Sequence, residues 1–226
     1  MITVIHSIKY LLLCEHYYRK LLKVKSQPKR MYFSRKEKPY GSSYGEWTVK
    51  WWQWAVSSPI HLNPVVDNTG EYAGVNQTGP VWFLAGTRGE NKLPIRKCCI
   101  PFGKAILFPV INYEINQLEE PRLKTEGQMV KNVVDDINDI IKREAFIDGV
   151  SIPTYRVQSS PKVFPLDVCN DNWLGISPGV IKAAADGYWV FLRPLVSGRH
   201  EIFFHGSCSG GIRNSTAKYY LNIVQK

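Results

Sequence analysis

Apolar and polar positions along the chain follow two alternating patterns, and most of the length has strand character. Trp47, Trp51 and Trp54 recur at spacings of four and three, which puts three indoles on one face of a short helix that Pro59 and Pro64 close off. Two apolar runs bounded by Gly and Pro follow, at residues 81–85 and 105–111, and both predict buried strands, with a further short strand between Pro94 and Pro101. Residues 123–144 hold the strongest helical stripe: Met129, Val133, Ile137, Ile140 and Ile141, with charged residues opposite. Asp148-Gly149 between two short apolar runs predicts a two-residue hairpin. In the last third, GYWVFLRPLVSGRHEIFFHGS and AKYYLNIVQ predict consecutive antiparallel strands, the first pair turning at Ser197-Gly198. No linker interrupts residues 45–226. The expected fold is one antiparallel β-sandwich, of jelly-roll or immunoglobulin-like type, over residues 44–226, with a short aromatic N-terminal helix and an inserted amphipathic helix.

The formal charge of +10 changes meaning once it is divided along the chain. Residues 1–50 carry 11 Lys or Arg against 3 acids, whereas the remainder carries 18 against 16. A basic extension, residues 1–43, therefore precedes a nearly neutral body, which fits weak salt-sensitive contact with an anionic surface and not sequence-specific nucleic-acid recognition. Ile5, Ile8, Leu12 and Leu13 sit at helical spacing, but His6 and Lys9 interrupt the run. It reads neither as a signal peptide nor as a transmembrane segment. Translation beginning at Met31 would remove most of the basic excess. Cysteine is present five times, as Cys14, Cys98, Cys99, Cys169 and Cys208, without CxxC spacing. A Cys169–Cys208 bridge and buried free thiols are both open readings.

Candidate chemistry is sparse. Asp67-Asn68-Thr69-Gly70 lacks the hydroxyl residue directly after Asp that an aspartic-protease signature needs, so Asp67 reads first as a turn residue. On a strand, Glu201 and His205 would share a face ~13 Å apart and His200 would point the other way, so no metal site is expected. No phosphate-loop, dinucleotide, nucleophile-elbow or HExxH signature is present, and no cofactor is expected. Asn76 and Asn214 lie in N-glycosylation acceptor patterns, which decide nothing alone. Polar residues flanking two apolar strands remain: Asp67, Glu71 and Gln77 before one, Asn112 and Glu114 at the end of the other, with Trp82 and Tyr113 beside them. Brought together at a sheet edge, two carboxylates ~5–9 Å apart beside an aromatic ring would suit glycoside chemistry.

The stretches WWQWAVSSP, GPVWFLAGT, KAILFPVINYE, YRVQS and ADGYWVFLRPL together resemble an uncharacterised family of archaeal and bacterial proteins, many of which begin with secretion signals. The resemblance covers about residues 46–225 and implies an extracellular or envelope location, but no activity and no catalytic residue. The family carries a cysteine in its TGE segment where this chain has Ala73, so a family-type bridge to Cys98 or Cys99 lacks one partner. Three functional readings follow in order: a non-catalytic module binding a carbohydrate or another surface ligand, a carboxylate-dependent glycan hydrolase or lyase, and an envelope protein held by its basic extension.

Overall fold

The computed structural model describes residues 30–89, 92–211 and 213–225; the N-terminal amphipathic stretch and Cys14 lie outside them. The folded unit is Met31–Lys226, mostly β, with ten strands in two mixed sheets and two helices. It begins earlier than the patterning suggests: Tyr32 bridges Leu192 and Phe33 is buried on Phe191, so residues 31–43 belong to the body and not to the extension.

Sheet A comprises β1 (Val81–Phe83), β3 (Ala105–Asn116), β8 (Gly179–Leu192), β6 (Tyr155–Arg156) and β7 (Val163–Val168), the last two pairing with different halves of β8. Sheet B has the order β2 (Ile95–Pro101), β10 (Asn214–Val224), β9 (Gly198–Cys208), β4 (Ile140–Ile147), β5 (Val150–Ser151). Two pairings are parallel, β1 with β3 and β2 with β10, so the purely antiparallel expectation is corrected. Each is an edge strand laid beside a partner reached through a long excursion of chain, which is the connection that parallel pairing requires. The sheets share a core in which Ile106, Phe108 and Val190 of sheet A meet Ile202, Phe204 and Tyr219 of sheet B. Phe108 stacks on Phe204 with ring centroids 4.8 Å apart.

Helix α1 (Tyr44–Ala55) packs on the other face of sheet A, in a second core with Phe83, Leu107, Trp189 and Phe191. Ser43 caps it reciprocally with Glu46: the Glu46 amide donates to Ser43 Oγ at 3.2 Å, and the Ser43 amide to Glu46 Oε2 at 2.6 Å. The indoles of Trp47, Trp51 and Trp54 donate to the carbonyls of Pro39, Leu84 and Val75, pinning the helix to three separate loops. Helix α2 (Glu126–Asn138) buries Met129 and Val133 against Ala184 of β8.

Two further expectations are revised. The stripe at residues 123–144 is helical only as far as Asn138. Asp139 caps the helix, Ile140 pairs with Cys208 in β4, and Ile141 is 69% exposed, because the chain leaves the helix for sheet B. Ser197-Gly198 does not turn a hairpin. β8 belongs to sheet A and β9 to sheet B, and residues 193–197 carry the chain from one sheet to the other. Both flanks of β8 are already occupied by β3 and by β6 and β7, which leaves no edge for β9. The Asp148-Gly149 hairpin forms as expected, both residues having positive φ, and joins β4 to β5.

Candidate functional site

Residues 105–110 of β3 alternate regularly, Ala105 and Leu107 facing the α1 core while Ile106, Phe108 and Val110 face sheet B. A bulge between Pro109 and Ile111 shifts the register against β8 and exchanges the faces. Beyond it Ile111 lies on the sheet B side, in a cluster with Ile137 and Cys208, and Asn112, Glu114 and Asn116 line up on the α1 side. Two glycines make room for the bulge. A Cβ on Gly187 would come within 2.6 Å of Asn112 Cβ, and one on Gly206 within 2.6 Å of Ile111 Cβ.

The re-aimed strand end forms the floor of a pocket of about 280 Å³. Trp51 and Trp52 of α1, Trp173 and Leu174 after β7, residues 85–89 after β1, Glu119, and residues 213–215 at the start of β10 complete its walls. The Asn116 side-chain amide donates to both Glu114, at 3.1 Å to Oε1, and Glu119. Burial first, and the neighbouring Glu119 charge second, push the Glu114 pKa up to about 8 against the opposing Asn116 donor. Glu119 is raised as well, chiefly by burial, with Asn116 opposing. Both carboxyls are therefore held above the ordinary carboxylate range.

Two residues of these walls carry a buried donor without a partner in the protein: the indole N–H of Trp52, a residue only 4% exposed, and the side-chain amide of Asn112, both nitrogens lying beneath the pocket surface. The indoles of Trp82 and Trp189 are also unpartnered, but both lie in the cores away from the pocket. The Trp52 ring lies nearly parallel to that of Trp173 at 6.4 Å, and the Arg88 guanidinium covers Trp173 at 4.9 Å from its centroid. Comparison with family models, curated proteins and solved structures finds no match to this chain.

Of the residues singled out in sequence, the fold brings Asn112, Tyr113 and Glu114 to this pocket and disperses the rest. Asp67 holds its own turn: Oδ1 accepts from the Thr69 amide at 2.7 Å and from its hydroxyl at 2.8 Å, and Oδ2 from the Tyr72 amide at 3.0 Å. Burial alone would raise its pKa, but these bonds outweigh it and hold the carboxylate below its ordinary value. Gln77 staples β1, donating to the Ala73 and Phe83 carbonyls and accepting from the Phe83 amide. Trp82 is core. Glu71 is exposed beside a separate open groove with Asp148, His200 and Glu201, where His200 Nδ1 lies 2.7 Å from Asp148 Oδ2.

Cys169 and Cys208 are free thiols, as are Cys98 and Cys99, so the bridge reading does not hold in this structure. Cys98 packs on the inter-sheet core, and burial pushes its thiol up to about 12. Glu119, Trp52 and Trp173 were missed by reading the sequence. The Asn-x-Glu-x-Asn alternation at residues 112–116 was the available signal for a polar face, and the paired tryptophans at 51 and 52 hinted that more than one helix face is covered.

Proposed function

We propose that the pocket binds one sugar residue of a carbohydrate ligand. The observation that carries this reading is a pocket that sets Trp51, Trp52 and Trp173 beside two carboxyls, Glu114 and Glu119, held by one Asn116 donor. Sugar hydroxyls both accept and donate. They can donate to the carboxyl oxygens of Glu114 and Glu119, while the indoles that line the pocket supply apolar contact. The pocket volume of about 280 Å³ leaves room for a single sugar ring.

Binding is favoured over two-carboxylate glycoside hydrolysis because a single nitrogen, Asn116 Nδ2, donates to both Glu114 and Glu119 and holds the two carboxyls together. Retaining and inverting mechanisms need carboxyls about 5–5.5 Å or 6.5–9.5 Å apart, with room between them for the sugar or for water. The same reading takes the two-sheet body as a sandwich scaffold of jelly-roll or immunoglobulin-like kind, which its shared inter-sheet core supports. Titration of monosaccharides against the tryptophan fluorescence of the protein tests the proposal. One or more sugars should quench or shift the emission. Glu114→Gln and Glu119→Gln should each weaken that binding by about tenfold, the equivalent of one hydrogen bond to a charged group. Saturation by a sugar with unchanged affinity in both variants would remove the basis of the proposal.

A further inference from the structure

We propose that the sugar taken by this pocket is a uronate, whose carboxylate binds at Arg88. The inference rests on the saccharide reading above and adds the ligand's charge. Arg88 is exposed, and its guanidinium lies over the Trp173 ring in the pocket wall, 4.9 Å from the centroid. Among the described residues it bonds to no carboxylate, and its charge reaches Glu119 from beyond ion-pair distance. The other arginine lining the pocket is already spent: Arg213 Nη1 lies 2.6 Å from Asp136 Oδ1 and its Nη2 3.8 Å from Asp139 Oδ2.

A further cation stands behind the wall. Arg96 is 1% exposed, and its Nη groups donate to the carbonyls of Val65, Ala85 and Gly86, three residues that line the pocket. It meets Asp67 through the backbone carbonyl, whereas the Asp67 carboxylate is bonded to Thr69 and Tyr72. Carbonyl dipoles solvate a buried guanidinium without cancelling its charge, so the wall is positive from behind as well as at Arg88. The acids of the pocket do not offset this, because burial works against the ionised form of both Glu114 and Glu119.

A ligand with one negative charge complements that balance. The two oxygens of a carboxylate match the guanidinium fork of Arg88, and a single charge limits repulsion from Glu119. The hydroxyls of the same sugar remain for the Glu114 side of the pocket.

Isothermal titration at pH 7 with glucuronate, glucose, glucosamine and glucose 6-phosphate separates the outcomes. Glucuronate should bind at least ~10-fold more tightly than glucose, with an advantage that shrinks as salt is raised. Glucosamine should bind more weakly than glucose. Arg88→Gln, a change at an exposed position, should reduce the glucuronate preference to less than ~3-fold. Equal affinities for glucuronate and glucose, or a glucuronate preference unchanged by Arg88→Gln, would overturn the uronate assignment and leave the saccharide reading standing. Tighter binding of glucosamine or of glucose 6-phosphate than of glucuronate would also overturn it. Failure of all four sugars to bind natively folded protein would overturn the saccharide reading, and this inference with it.

Discussion

Arg96 is a buried cation, 1% exposed, whose bonded partners are carbonyls and a hydroxyl. Nε donates to the Asp67 carbonyl at 2.6 Å, the two Nη groups reach the carbonyls of Val65, Ala85 and Gly86, and Nη1 also meets the Tyr219 hydroxyl at 2.7 Å. One side chain thereby ties together the two loops that carry Val65 and residues 85–86 into the pocket wall. Arg96→Met should destabilise the protein by more than ~3 kcal/mol in urea unfolding, since several buried carbonyls lose their donors together. Arg96→Lys should recover little of that loss, because a single ammonium cannot span the acceptors that the planar fork reaches.

Glu114 makes the opposite kind of demand on its surroundings. Its folded-state pKa of about 8 lies above the ordinary value of 4.5. Below pH 4.5 both folded and unfolded chains hold the proton. Between there and about pH 8 the unfolded carboxyl ionises while the folded one does not, so its contribution to stability falls as pH rises through that window. Glu114→Gln should flatten this segment of the stability profile, as read from urea midpoints at intervals from pH 4.5 to 8.5.

At the scale of the element, the bulge in β3 gives the pocket its floor. Without it, Asn112, Glu114 and Asn116 would point toward sheet B and Ile111 toward α1. Gly206→Ala presses a methyl group into Ile111 from the facing sheet. It should cost ~1–3 kcal/mol, as overpacking does, and should weaken sugar binding as well, because the bulge it displaces sets the Asn112 and Glu114 directions. Helix α2 begins on a reciprocal cap, the Gln128 amide donating to Thr125 Oγ1 at 3.2 Å and the Thr125 amide to Gln128 Oε1 at 3.0 Å. Thr125→Ala should lower the thermal midpoint by an amount matching ~1 kcal/mol. The end of this helix shows where periodicity stops being informative. Ile140 and Ile141 continue the helical spacing, yet β-branched residues serve a strand equally well, and the vacant edge of β9 decides the matter.

For the molecule as a whole, the folded unit depends on residues that composition assigns to the basic extension. Phe33 packs on Phe191 at 5.0 Å between centroids, Arg193 lies over the Phe33 ring, and Ser43 caps α1. A chain trimmed to residues 44–226 should therefore be less stable than one trimmed to 31–226 by at least ~3 kcal/mol, combining one buried aromatic with one lost helix cap. Differential scanning calorimetry of the two chains checks this.

The sequence by itself determined the local features: the tryptophan helix, the strand cores within residues 81–85, where the strand ends at Phe83, and at 105–111, the Asp148-Gly149 hairpin and the turn role of Asp67. Each follows from side-chain spacing or from backbone preferences over a few residues. Tertiary structure decided the rest. Which sheet receives β9, which edge strands pair in parallel, and which carboxylate partners Glu114 all depend on contacts between distant segments. Neither the faces exchanged at the bulge nor the Glu119 turn meeting Trp52 and Trp173 leaves a periodic trace. The pocket was legible only at Asn112, Tyr113 and Glu114, because alternation reports that a strand has two faces but not what stands opposite each.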